Sequence, residues 1–357
     1  MTNLLAGALP PSVPSLSRIP YKKESVTMIS RLDPIDQRLL DEFQRDFPLV
    51  PQPFQEIAAA LDLSDVQVLT RLHALLRDGR IARVGGTVRP NTAGASTLAA
   101  MAIPEDRLGA VAARIGQEAG VNHSYLREND WNLWFVATAP NGAALEDSLD
   151  AIRRDTGLEV LDLRLRRPFN IDLGFRLSGA RKTTPRRGEP DVTAFEETDR
   201  PLLHAMSQGM PLVARPYEDM AAHLGWSEDG VIARLEVLLR AGILTRIGVI
   251  VRHRSVGWSS NAMVVWKVPA DRMMAAGEAL AQHPGVTLCY ERVTVPGVWE
   301  YNLYSMIHAR SRSEAQEILK TASALPELAG IPHQPLFSVR CFKQTGAVLQ
   351  DRRERAA

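Results

Sequence analysis

The chain holds 357 residues, enough for two or three domains at roughly 150 residues each. Its 42 Lys and Arg against 41 Asp and Glu leave a formal net charge of +1, which excludes a uniformly basic, nucleic-acid-coating surface and leaves room only for a local basic patch. The two cysteines, Cys289 and Cys341, lie far apart, so neither a disulfide framework nor a thiolate metal site is expected and a cytoplasmic location fits.

Residues 1–30 lack a basic start, and Pro10 and Pro11 break their apolar run, so they read as a disordered tail and not as a signal peptide. No apolar run approaches the ~20 residues that cross a bilayer. Over 31–95 the punctuation is helical. Asp33 precedes Pro34 as a cap, and Leu32, Ile35, Leu39, Leu40 and Phe43 form a stripe. FQEIAAALDL then leads to a longer helix capped by Ser64 and stopped at Gly79, with a brief strand after it. This is the pattern of a winged helix-turn-helix. Over 96–176 the period shortens: TLAAMAIP, VNHSYLRE, NLWFVATAP and VLDLRLRRPF read as strands, with helices at 105–118 and 142–156. The order βαββαβ defines a ferredoxin-like module. Residues 177–196, rich in basic residues, Gly, Thr and Pro, read as an exposed linker. The same two patterns return over 197–258 and 259–346, and 347–357 is a charged tail.

The return is a true repeat. PFQEIAAAL at 53–61 reappears as PYEDMAAHL at 216–224, and at the same offset Arg83, Gly85, Arg89 and Gly94 match Arg246, Gly248, Arg252 and Gly257. The expected fold is α+β: a tandem repeat of winged helix-turn-helix plus ferredoxin-like module, forming an intramolecular pseudo-dimer in which the open sheets cover each other.

A helix-turn-helix invites a DNA-binding reading, but the charges oppose it. Residues 64–78 set Arg71 and Arg77 against Asp65 and Asp78, and residues 227–241 set Arg234 and Arg240 against Glu228, Asp229 and Glu236. A neutral or acidic helix does not draw in a polyanion, and Arg71 and Arg234 lie close enough to the leucine stripe to be structural.

Polar residues cluster instead on the strands. Alternation places His123, Tyr125 and Arg127 on one face, and the second copy repeats the Tyr-x-Arg pair as Tyr290 and Arg292, with Leu288 in place of the histidine. The entry to the second ferredoxin-like module carries Arg252, His253 and Arg254, where the first copy has Arg89, Pro90 and Asn91. Arg340 lies on the last strand, and Trp131 and Trp258 lie nearby in sequence. Arginines that grip carboxylates bidentately, among aromatic walls, suit a flat ligand with many carboxylates. His73, His204, His223 and His283 fall on helices and read as structural, and His308 and His333 carry no functional signal.

With these motifs the sequence resembles the leucine-responsive (Lrp/AsnC) regulators, and within that superfamily it is similar to the siroheme decarboxylases. The resemblance rests on H-x-Y-x-R followed by W-N-L-W-F (123–135), N-I-D-L-G-F (170–175), R-H-R-x-x-G-W-x-x-N-A-M (252–263), L-C-Y-E-R with Y-N-L-Y-x-M-I-H (288–308) and R-C-F-K-Q-T-G (340–346). It covers about 32–346 and looks like a fusion of NirD-like and NirL-like subunits. One departure is Phe169 with Asn170, where the family leads one to expect Tyr-His.

The resemblance implies removal of two acetate carboxyl groups of siroheme as CO2, giving didecarboxysiroheme on the way to haem d1 or haem. It assigns His123 and His253 as proton donor or iron ligand, Tyr125 and Tyr290 as hydrogen-bond donors, and Arg127, Arg252, Arg254, Arg292 and Arg340 as carboxylate anchors, with Trp131 and Trp258 as ring walls. No cofactor or resident metal is expected, because the iron enters with the substrate. The expected partner is siroheme, without nucleic acid or membrane, with further self-association or hand-over to other tetrapyrrole enzymes. The alternatives are a fused Lrp/AsnC-type transcriptional regulator with a small-molecule effector, and a tetrapyrrole carrier without chemistry.

Overall fold

The computed structural model describes residues 32–171, 174 and 188–349. The expected tail at 1–30, most of the expected linker and the last residues of the C-terminal tail lie outside them.

The first copy opens with α1 (Pro34–Glu42), α2 (Pro53–Leu61) and α3 (Asp65–Arg77), followed by the wing strand β1 (Ile81–Val88). The caps are those the sequence calls for. Asp33 Oδ1 accepts from the Ile35 N–H at 2.7 Å, and Ser64 and Gln67 form a reciprocal capping box. Next come β2 (Ala95–Met101), α4 (Leu108–Gln117), β3 (Val121–Arg127), β4 (Leu133–Ala139), α5 (Gly142–Thr156) and β5 (Leu161–Asn170). The second copy repeats the series as α6 (Arg200–Gln208), α7 (Pro216–Leu224), α8 (Glu228–Arg240) and β6 (Leu244–Val251). It continues with β7 (Ser260–Trp266), α9 (Met273–Gln282), β8 (Val286–Arg292), β9 (Leu303–Ala309), α10 (Arg312–Ser323) and β10 (His333–Gln344).

The arginines of the would-be reading helices are structural. Arg71 pairs with Asp36 at 2.8 Å, and Arg234 pairs with the fully buried Asp199 at 2.5 Å. The wings are also engaged: β1 and β6 pair antiparallel with Gly85 opposite Gly248. Both positions demand glycine, since a Cβ on Gly85 would lie 2.4 Å from the Met206 carbonyl oxygen and one on Gly248 2.3 Å from that of Gln44. β1 is thereby packed between its partner and α6, and β6 between its partner and the segment that follows α1, in a helical layer whose core includes Leu39, Leu72, Leu203 and Leu235.

The pseudo-dimer is present, but the sheets do more than cover each other. In space the first module runs β3-β4-β2-β5 and the second β8-β9-β7-β10. The joints β5–β8 and β10–β3 close them into one eight-stranded barrel. Edge-to-edge closure leaves the barrel itself without a free edge. Two outer cores lie under the helices, one beneath α4 and α5 and the other beneath α9 and α10. The interior is packed by Leu98, Trp134, Leu163, Met263, Tyr304 and Leu336, among others, with Trp134 edge-on to Trp299 at 5.2 Å.

Each closing strand carries an irregularity where it leaves its own module: β5 between Leu165 and Arg167, β10 between Ser338 and Arg340. A bulge reverses which face each later residue takes.

Candidate active site

Residues directly opposed in an antiparallel pair share a face. His123 lies opposite Val136 and Tyr125 opposite Trp134, whereas Ser124 lies opposite Phe135 of the outer core. His123, Tyr125 and Arg127 therefore face the barrel interior together. On the other side Leu288 lies opposite Met306 and Tyr290 opposite Tyr304, which turns Tyr290 and Arg292 inward as well.

The two Tyr-x-Arg pairs adopt one geometry. The Arg127 guanidinium lies over the Tyr125 ring at 5.4 Å and donates to the Leu336 carbonyl at 3.0 Å; that of Arg292 lies over Tyr290 at 4.6 Å and donates to the Leu163 carbonyl at 2.6 Å. Each arginine thus reaches across a joint to the closing strand of the other module. Burial lowers the pKa of both, that of Arg127 to about 10, and the Nε of each has no hydrogen-bond partner.

Above this end of the barrel lie the paired wings. Arg83 of β1 is an electrostatic neighbour of His123, and Arg246 of β6 is one of His253 and of Arg83. His253 sits in the short turn His253–Val256 before β7, its ring 5.7 Å from that of His308. Arg254 is an electrostatic neighbour of Tyr125, Arg127 and Cys341, whereas the Arg252 guanidinium lies beside Gly79 at the end of α3, within electrostatic range of Cys341; both are exposed. The Tyr125 hydroxyl and the Cys341 thiol are neighbours, and the thiol donates to the Lys343 carbonyl at 3.6 Å. Burial and Arg83 push His123 down to about 4. Burial, His308 and Arg246 hold His253 well below its ordinary value, and burial and Arg127 bring His308 to about 4. His123, His253, Tyr125 and Arg292 are crowded by protein yet keep part of their surface accessible.

The charge is one-sided. Arg83 is itself lowered to about 10 by burial and by Arg246, and among the described residues no carboxylate stands near enough to Arg83 or Arg127 to bear on either. Buried cations without counter-ions are costly unless a ligand supplies the anion.

The structure thus gathers His123, His253, Tyr125, Tyr290, Arg127, Arg254 and Arg292 at one end of the barrel beside the wings, with Arg252 exposed next to Gly79. Trp131 packs against the barrel core, where its carbonyl accepts from Trp134 Nε1 at 2.5 Å. Two expectations need correction. Arg340 does not join the cluster: the irregularity after Ser338 reverses the strand's parity, so Arg340 lies exposed over the Phe342 ring while Cys341 turns inward opposite Tyr125. Trp258 packs against the helical-layer core, with the Arg310 guanidinium over its ring at 5.5 Å. Phe169, at the family's Tyr-His position, packs on the outer side near Gly277 of α9, where a Cβ would strike its ring.

Sequence reasoning missed His308, Asn261, Thr287, Arg83 and Arg246. The matched pair Arg83 and Arg246 was visible in the repeat. The inward face of His308 depended on a strand register that only the fold supplies.

Fold and site together define a duplicated helix-turn-helix and AsnC-like protein whose sheets close into one barrel carrying a cluster of arginines, imidazoles and phenols. An AsnC-like ligand binding domain matches at 93–170 and 255–343, and a siroheme decarboxylase NirDL-like HTH domain at 36–81 and 199–244. The siroheme decarboxylase NirDL subunit of Paracoccus pantotrophus is 56% identical over 321 residues, covering 90% of this chain and 98% of that one. The siroheme decarboxylase of Hydrogenobacter thermophilus is 32% identical, covering 86% and 92%. The crystal structure of the siroheme decarboxylase NirDL in co-complex with an iron-uroporphyrin III analogue superposes with a TM-score of 0.64 at 28% identity, covering 90% and 97%. The chain belongs to the siroheme decarboxylase NirDL family and is a decarboxylating enzyme. No helix among the described residues is long and apolar enough to cross a membrane.

Proposed function

We propose that the protein removes two acetate carboxyl groups of siroheme as CO2, giving didecarboxysiroheme in haem d1 or alternative haem formation. The observation that carries this reading is the inward-facing set of arginines, imidazoles and phenols, in which neither Arg83 nor Arg127 has a carboxylate bearing on it among the described residues, a setting that suits a polyanion with a flat ring. In each step the carboxylate leaves as CO2, its bonding pair passes toward the macrocycle, and one proton is delivered to the new methyl carbon. The arginines hold the carboxylates that stay; a carboxylate that reacts loses its charge and gains little from a tight clamp.

His123 and His253 are neutral at pH 7 before substrate arrives. Incoming carboxylates raise an imidazole pKa, so the substrate itself charges the acid that later gives its proton to carbon. The same nitrogen, when neutral, suits iron ligation, and the iron enters with the substrate, so no separate cofactor is invoked. Both cysteines are free thiols, in keeping with a reducing cytoplasm. Wings clamped to each other and reading-helix arginines tied to Asp36 and Asp199 speak against a DNA-binding role.

The test is anaerobic incubation with siroheme followed by mass measurement of the pigment. A product lighter by two CO2 supports the reading. An unchanged pigment, as a carrier would return, contradicts it. A gel shift at low salt should retain no duplex DNA.

A further inference from the structure

His308 and its partners belong to no role assigned so far, and their hydrogen bonds leave one consistent arrangement. The Asn261 Oδ1 accepts from Arg127 Nη1 at 3.3 Å and from the Ser338 hydroxyl at 3.1 Å. Its Nδ2 therefore donates to His308 Nε2, 2.8 Å away, which makes that nitrogen an acceptor. The proton of the ring then sits on Nδ1 and is donated to the Thr287 hydroxyl at 2.8 Å, which in turn donates to the Met306 carbonyl at 3.0 Å. Both ring nitrogens are spoken for, and the chain of bonds ends on the guanidinium of Arg127.

The other wall of the barrel shows that the fold does not require this. Arg292 makes the same cross-joint carbonyl bond as Arg127. Yet the strand pair Asn261–His308 has Ser96–Thr138 as its counterpart, and Asn122 stands in place of Thr287. There the polar groups do not lead to the arginine: Asn122 lies 3.5 Å from the Thr138 hydroxyl and 2.7 Å from His123 Nδ1, while Arg292 is bonded to the Leu163 carbonyl. A buried polar relay that its own duplicate dispenses with has a purpose other than closing the barrel.

We propose that Thr287, His308 and Asn261 form a positioning relay that sets the plane of the Arg127 guanidinium, so that its free donors meet a carboxylate of the bound tetrapyrrole. His308 is thus a positioning residue and not the proton donor, because its Nε2 receives a hydrogen bond and its Nδ1 proton is committed to Thr287. The identity of the ligand rests on the siroheme reading above.

The test is a double-mutant cycle in the full-length chain, read as the affinity for iron-uroporphyrin III by absorbance and, separately, as CO2 release from siroheme. His308→Leu and Arg127→Gln should each weaken binding by roughly tenfold or more. The double variant should be no weaker than the worse single one, because both changes break one interaction. His308→Gln should recover most of the affinity, since its amide can accept from Asn261 and donate to Thr287. Additive losses, unchanged affinity in His308→Leu, or lost CO2 release at full affinity would each overturn the relay. If His308→Leu does not fold, Asn261→Ser and His308→Thr install the residues that the other wall already carries, with the same expectations. A wild-type chain that binds but releases no CO2 refutes the siroheme reading while leaving the cycle, measured on binding alone, to decide the relay.

Discussion

The two walls of the barrel descend from one repeat and share a backbone, yet they differ in what they carry behind a common Tyr-x-Arg pair. On the β3–β10–β7–β9 wall Arg127 is backed by Asn261 and His308 and overlooked by His253 and Arg254. On the β8–β5–β2–β4 wall Arg292 is backed by the Leu163 carbonyl, with Tyr304 and Asp162 as electrostatic neighbours, and Ser96, Thr138, Pro90 and Asn91 occupy the matching places. His123 adds to the contrast, since it lies on β3 of the first wall and the matching place on β8 of the other wall is Leu288. Both copies contribute imidazoles, His123 from the first and His253 and His308 from the second, and barrel closure brings them to one wall.

Substitutions can break or sharpen that contrast. The largest difference is expected between Arg127→Ala and Arg292→Ala. Siroheme affinity, followed by absorbance, should drop by about 3 kcal/mol for the first and by about 1.5 kcal/mol for the second; equal losses would erase the asymmetry. The scaffold should show no such difference: Gly85→Ala and Gly248→Ala each force a Cβ against a carbonyl oxygen, and each should cost about 2 kcal/mol in denaturant unfolding. A third comparison concerns pH. His123 and His308, one from each copy, titrate near 4 in the folded chain and near 6.5 unfolded. The unfolded chain binds protons first, so stability falls as pH drops from about 6.5 to 4. Melting curves across that range should show the decline, and His123→Gln should flatten it. The smallest effects belong to the tyrosines: Tyr125→Phe should slow CO2 release by a few fold and Tyr290→Phe by less, each worth about 1 kcal/mol or under.

Much of this was legible beforehand. Strand alternation alone put His123, Tyr125 and Arg127 on one face, because period-two geometry needs no tertiary information. The caps at Asp33 and Ser64 were equally local. What failed was non-local. Arg340 faced the wrong way because a β-bulge is invisible in an alternating pattern, and Trp258 went to the helical layer because its turn follows Gly257, where the chain changes layer. His308 was passed over since a lone histidine on an apolar strand carries no signal until Asn261 is paired opposite it. The closing of two sheets into one barrel likewise depends on which edges meet, which no single copy encodes.

The central claim is that the imidazole-bearing wall does the chemistry and the other supplies grip. Anaerobic siroheme titration of His253→Ala, with CO2 release measured on the same sample, tests it most directly. The pigment should bind within a few fold of wild type and lose CO2 at least ~100-fold more slowly, the scale of a lost general acid. Wild-type CO2 release from that variant would contradict the account.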